Sequence, residues 1–167
     1  MIIGVIGRGD HCEPEAYTLA EQVGGEIARR GHLLVCGGMT GVMEAACKGA
    51  KAAGGTTIGI LPGEDPHAAN RWVDIPIVTG MGYARNAIVA LTASAVIAVY
   101  GEYGTLTEMA FALGYKMPVI GLHSWTLRRP DGSPEPGVIV ASTPSDAVDK
   151  AIEAALRHEG ASPGRRR

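Results

Sequence analysis

A chain of 167 residues, 46% hydrophobic and 19% charged, carries enough apolar surface for one domain around one core and needs no metal, cofactor or disulfide to fold. Its formal net charge of −2 excludes a general basic field for nucleic acid; its three cysteines, Cys12, Cys36 and Cys47, without a CxxC pair, exclude a disulfide framework and point to a reducing compartment. No apolar run approaches the ~18 residues of a membrane span, and the chain starts on a strand-like run without the pattern of a leader, so the expected location is the cytoplasm, with no membrane partner.

Short apolar runs alternate with helical spacings. Residues 2–6 are β-branched, closed by Gly7, and read as a strand. Residues 14–30 place Ala16, Leu19, Ala20, Val23, Ile27 and Ala28 at helical spacing, and Gly31 stops the helix. Residues 33–36 form a second strand ended by Gly37-Gly38, and residues 42–53 a small, Ala-rich helix. Residues 56–61 are a third strand, and 64–72 a polar loop. A fourth strand at 75–78 precedes a helix at 83–93. A fifth strand at 95–100 precedes a helix at 105–115, followed by a sixth strand at 118–122. Residues 124–136 read as a loop, with a hairpin about Pro130-Asp131-Gly132, before a last strand at 138–141 and a helix at 144–156 capped by Thr143. Residues 157–167, ending in three arginines, read as a flexible basic tail.

Strands without polar alternation are covered on both faces, and helices between them imply right-handed crossovers. The expected fold is α/β: a Rossmann-like, doubly wound, mostly parallel sheet flanked by helices, spanning residues 1–156 as one domain. Ligands of such sheets bind beyond the carboxyl ends of the strands.

Three glycine-rich segments lie at those ends. Gly7-Arg8-Gly9-Asp10 begins like a dinucleotide fingerprint, but Cys12 replaces the third glycine; it reads as a turn or as one wall of a cleft. Gly37-Gly38-Met39-Thr40-Gly41 reads as a tight turn or as a loop whose amides approach a ligand. Gly101-Glu102-Tyr103-Gly104-Thr105 joins the fifth strand to a helix, so that exposed amides, the Thr105 hydroxyl and the positive helix end make a phosphate cradle. No segment carries the GKT or GKS of a P-loop.

Three further side chains have two readings each. Thr105 and Glu108 have the spacing of a capping box; Glu108 is either a helix cap or a carboxylate beside the bound ligand. Arg85 and Asn86 open the helix after the fourth strand, where they are solvated or reach a ligand. The five histidines are scattered and no metal site is expected; His11, between Asp10 and Cys12, belongs to a polar loop.

Together, Gly37-Gly38-x-x-Gly41-Val42-Met43-Glu44, Gly59-Ile60-Leu61-Pro62, Thr79-Gly80-Met81-x-x-Ala84-Arg85-Asn86 and Gly101-x-x-Gly104-Thr105-x-x-Glu108 resemble the SLOG superfamily over residues 2–156. That superfamily holds the LOG-type cytokinin-activating phosphoribohydrolases and the molybdenum cofactor carrier proteins, and many members bear the older name "lysine decarboxylase-like". The 79–86 segment resembles the carrier branch: Asn86 stands where LOG enzymes have lysine, and Tyr100-Gly101-Glu102 where they have Pro-Gly-Gly. Glu102 is the main departure, since an inward carboxylate would repel an anion.

The resemblance implies a binding or carrier protein for a phosphorylated pterin, such as molybdenum cofactor, or for a nucleotide. Gly7, Gly37, Gly38, Gly41, Met81, Arg85, Asn86, Gly101, Gly104 and Thr105 would form the ligand site. The alternative is a phosphoribohydrolase that cleaves the N-glycosidic bond of a nucleoside 5′-monophosphate, with Arg85 and Glu108 catalytic. A pyridoxal-phosphate decarboxylase is excluded because Lys48, Lys51, Lys116 and Lys150 all lie at helical positions or helix ends rather than in a catalytic loop. The resemblance also implies a homodimer or higher homo-oligomer, with which the apolar surplus of residues 87–98 agrees.

Overall fold

The β-branched runs pair side by side because most are apolar on both faces and the helices between them cover the sheet. In the computed structural model, which describes residues 1–161, they form one seven-stranded sheet. The strands are β1 (Ile2–Gly7), β2 (Leu33–Cys36), β3 (Thr57–Leu61), β4 (Ile75–Val78), β5 (Ala95–Val99), β6 (Val119–Leu122) and β7 (Val138–Ala141). Their order is β4-β3-β2-β1-β5-β6-β7, and every neighbouring pair is parallel.

Successive residues of each strand feed opposite layers. Ile3, Val5, Leu34, Cys36 and Ile97 pack with α1 (Pro14–Arg29), α2 (Val42–Ala52) and α5 (Pro144–Ala161). Ile6, Val35, Ile60, Val96 and Ala98 pack with α3 (Asn86–Thr92) and α4 (Tyr103–Gly114). The small residues of α1 and α2 let the two backbones touch: a Cβ on Gly24 would stand 1.9 Å from the Ala46 carbonyl oxygen, and one on Gly49 1.8 Å from that of Glu21.

Several boundaries move for identifiable reasons. The helical pattern of 83–93 splits into a 3-10 turn, Gly82–Arg85, and α3. The helix expected at 105 begins at Tyr103. The polar loop 64–72 contains one 3-10 turn, Pro66–Ala68, opened by the Asp65 side chain, which accepts from the His67 amide at 2.8 Å. The hairpin forms, with an antiparallel bridge between Arg128 and Pro134. Thr143 caps α5 through the Asp146 amide at 3.1 Å. That helix continues to Ala161, into the stretch expected as a tail; residues 162–167 lie outside the described residues. Among the described residues no helix is long and apolar enough to cross a membrane.

The chain runs from β1 outward in one direction through β2 and, later, in the other through β5. This reversal opens a crevice between the loops that leave these strands.

Candidate functional site

A cleft of about 640 Å³ occupies that crevice. Its walls come from the loop after β1, the loop after β2, the 3-10 turn before α3 and the first turns of α4. Of the residues singled out in the sequence, Gly7, Arg85, Asn86, Gly104, Thr105 and Glu108 line it.

Gly37, Gly38, Gly41, Gly101 and Met81 are not among the lining residues; the glycines shape the walls from behind. A Cβ on Gly37 would meet the Arg85 guanidinium at 2.5 Å, and the Gly37 carbonyl accepts from Arg85 Nη2 at 3.4 Å. Gly38 turns the chain, and its amide donates to Cys36 Sγ at 3.3 Å. Gly41 has φ +66, and a Cβ there would lie 1.9 Å from the Gly9 carbonyl oxygen, so the first two loops are pressed together. Gly101 has φ +112 and is packed against the Thr105 side chain, which a Cβ would meet at 2.4 Å. Met81 is half-exposed outside the cleft.

The start of α4 decides the roles of Thr105 and Glu108. Glu102 is the N-cap and makes no capping bond with its side chain, and the first amide bonded within the helix is that of Leu106, to the Glu102 carbonyl at 2.9 Å. The capping box therefore does not form. Thr105 sits in the first turn, Glu108 one turn later, and both face the cleft. The amides of Tyr103, Gly104 and Thr105 precede the first intrahelical bond, as at every helix start. Thr105 is 2% exposed, yet its Oγ1 has no hydrogen-bond partner among the described residues.

Beneath them Arg85 and Glu108 form a buried pair. Arg85 Nη1 stands 3.7 Å from Glu108 Oε1, with both side chains about nine-tenths buried, and Nη1 also donates to Asn86 Oδ1. Arg85 Nε has no partner among the described residues. Burial pushes the Glu108 carboxyl up to about 8, against the opposing pull of Arg85. Near neutral pH that carboxyl holds a proton much of the time, which suits proton transfer.

The lining residues that sequence reasoning did not assign as ligand contacts include Arg8, Asp10, His11, Met39, Thr40, Met43 and Tyr83, with Gly9, Pro62, Gly82 and Glu102 beside them. A signal existed for the first three, since they follow β1 at its carboxyl end. Arg8 Nη1 donates to Glu13 Oε1 at 3.2 Å and forms an ion pair with Glu102 Oε1 at 3.0 Å. The Glu102 carboxylate is thus drawn to Arg8 and leaves the α4 amides open. Thr40 donates to Asp10 Oδ1 at 2.9 Å, tying the second loop to the first. The Cys12 thiol is pushed up, chiefly by burial, so it is not activated as a nucleophile. Among the described residues no cluster of three or more His, Cys, Asp or Glu is placed to hold a metal, and no lysine lines the cleft.

The profile of the SLOG cluster4 family matches residues 1–148. An uncharacterized protein of Archaeoglobus fulgidus is 43% identical over 157 residues, 94% of this chain and 98% of that one. A cytokinin riboside 5′-monophosphate phosphoribohydrolase of Mycobacterium marinum is 36% identical over 115 residues, 66% of this chain and 59% of the enzyme. Among solved structures, the molybdenum cofactor binding protein of Rippkaea orientalis superposes with a TM-score of 0.83 at 39% identity, covering 93% of this chain and 96% of that one. The Moco carrier protein of Chlamydomonas reinhardtii superposes with a TM-score of 0.80 at 40% identity, covering 94% and 98%. Sheet order, loop motifs and these likenesses converge: the chain belongs to the SLOG cluster4 family.

Proposed function

We propose that this protein binds and carries a phosphorylated pterin such as molybdenum cofactor, or a related nucleotide, with the phosphate at the start of α4. The observation that carries this reading is the buried, unpartnered Thr105 hydroxyl beside open helix-start amides in a cleft of about 640 Å³. An unsatisfied buried hydroxyl costs roughly 1–3 kcal/mol, a cost removed when a phosphate oxygen bonds it. The cleft volume falls in the usual range for small-molecule sites. Gly104 and Thr105 hold the phosphate, and Arg85 and Asn86 orient the rest of the ligand; Gly7, Gly37, Gly38, Gly41 and Gly101 keep the walls thin, and Met81 lies at the margin. Likeness to the Rippkaea and Chlamydomonas proteins over nearly the whole chain supports the pterin class. Anaerobic titration with molybdenum cofactor, followed by calorimetry, tests the reading: saturable one-site binding that weakens in Thr105→Val supports it, and no binding refutes it.

A second reading rests on the Arg85–Glu108 pair. As a phosphoribohydrolase, the protein would use Glu108 at the anomeric carbon, either as nucleophile or to activate water, while Arg85 holds the sugar through charge-assisted hydrogen bonds. Release of free base from AMP or N6-modified AMP, lost in Glu108→Ala, supports this reading; no release from either substrate removes it.

For a homo-oligomer the structure offers two apolar surfaces, part of residues 87–98 and the exposed edge of the sheet. Val89, Ala90, Ala93 and residues 95–98 are absorbed by the core, while Ala87, Ile88 and Leu91 stay half-buried. Exposed apolar side chains also cluster at edge strand β4, as Ile75, Ile77 and Val78, with Met81, Tyr83 and Tyr103 among the others. The three unpaired cysteines support a reducing, cytoplasmic setting.

A further inference from the structure

Arg8 and Glu102 join the two loops that flank the cleft at the sheet's reversal point. Arg8 leaves β1, and Glu102 caps α4. Three groups hold the Arg8 guanidinium: Nε donates to the Asp10 carbonyl at 2.9 Å, and Nη1 faces Glu13 at 3.2 Å and Glu102 at 3.0 Å. These partners are not equivalent. The Asp10 carbonyl and Glu13 are close in sequence to Arg8 and anchor it from its own loop. Glu102 comes from the opposite wall, lines the cleft, and keeps 61% of its side chain in solvent.

We propose that the Arg8–Glu102 pair is an electrostatic latch that selects a doubly charged phosphomonoester. This rests on the phosphate position given above. Glu102 serves as the internal anion for Arg8 while the cleft is free of ligand. A phosphoryl group at Gly104 and Thr105 lies within three residues of the Glu102 backbone and repels its carboxylate, which has solvent to move into. Arg8, still anchored by Asp10 and Glu13, then gives its donors to the phosphoryl oxygens, for which a guanidinium is well suited. A neutral ligand has no charge with which to open the pair. Arg8 is therefore a specificity-determining residue and Glu102 the residue that restrains it. The second observation beyond the helix start is the Thr105 hydroxyl, buried and unpartnered, on the wall where the phosphoryl group would sit.

The test is a double-mutant cycle on the full chain, with AMP, inorganic phosphate and adenosine as probes in calorimetry, and thermal melts to establish that each variant folds. Glu102→Gln tightens AMP and phosphate about fivefold, the effect of sparing Arg8 the loss of its attraction to one unit charge at about 4 Å in a wet cleft, since a displaced Glu102 swings into solvent. Arg8→Gln weakens both about tenfold. With Arg8→Gln in place, the gain from Glu102→Gln falls to about twofold or less, because the latch has nothing left to release. Adenosine binding is unchanged in all four proteins. An equal gain with and without Arg8 overturns the latch and leaves simple repulsion by Glu102; no gain from Glu102→Gln overturns it outright. If neither AMP nor phosphate binds any of the four proteins, the phosphate position itself is wrong, and the latch fails with it.

Discussion

Replacing Glu108 by glutamine tests whether a protonated carboxyl sits under the cleft. Burial holds the Glu108 carboxyl at about 8, against an ordinary 4.5. The folded protein therefore takes up a proton that the unfolded chain has released. The stability from this group is fully present below about pH 4.5 and is lost as pH rises through about 8, the reverse of an ordinary paired carboxylate. At 1.36 kcal/mol for each tenfold change in proton affinity, the interval between the two values is worth about 5 kcal/mol, a ceiling that relaxation around Arg85 lowers. Glutamine keeps the shape and cannot ionise. Urea unfolding of both proteins between pH 5 and pH 9 gives the difference directly. The stability of Glu108→Gln relative to wild type rises by about 1 kcal/mol for each pH unit up to about 8 and then levels off. A flat difference across this range, or one already level at pH 5, would refute the buried, proton-holding state.

Other substitutions separate binding from folding. Thr105→Val removes the unpartnered hydroxyl at constant shape, so stability in urea increases by about 1 kcal/mol while phosphate affinity falls; a loss of stability would mean that the hydroxyl is already satisfied. Gly24→Ala forces a Cβ to 1.9 Å from the Ala46 carbonyl oxygen and costs about 2–4 kcal/mol in the same assay, whereas Gly104→Ala meets nothing within 4 Å and leaves stability equal or improved by up to about 1 kcal/mol. Ile77→Lys on exposed β4 lowers the solution mass found by light scattering if that strand joins two copies; an unchanged oligomer places the interface elsewhere.

Much of the fold is legible in the order of residues. Uninterrupted apolar runs at β1, β2, β3 and β5, each followed within two residues by a glycine or proline and most by a helical spacing, with a further run at β6, lead to a parallel sheet covered on both sides. The same logic locates the cleft, because loops at the carboxyl ends of such strands are where ligands fit. The motif residues Gly7, Arg85, Asn86, Gly104, Thr105 and Glu108 do converge there. Less legible is what each does. A spacing of three describes both a capping box and one helical turn, so the roles of Thr105 and Glu108 depend on a helix start two residues earlier than pattern suggests. Of the apolar excess in residues 87–98 the two-sided sheet consumes the larger part and leaves Ala87, Ile88 and Leu91 half-buried, while a second apolar edge at β4 has no signal in the periodicity.

By itself, then, the order of residues determined the fold class, the strand and helix succession and the loops that could meet a ligand, since these follow from local periodicity and backbone freedom. Only the tertiary structure decided which charges face one another. Arg85 finds Glu108 and Arg8 finds Glu102 across separate crossovers. Burial, which sets the proton affinity of Glu108, depends on packing from elements distant in the chain.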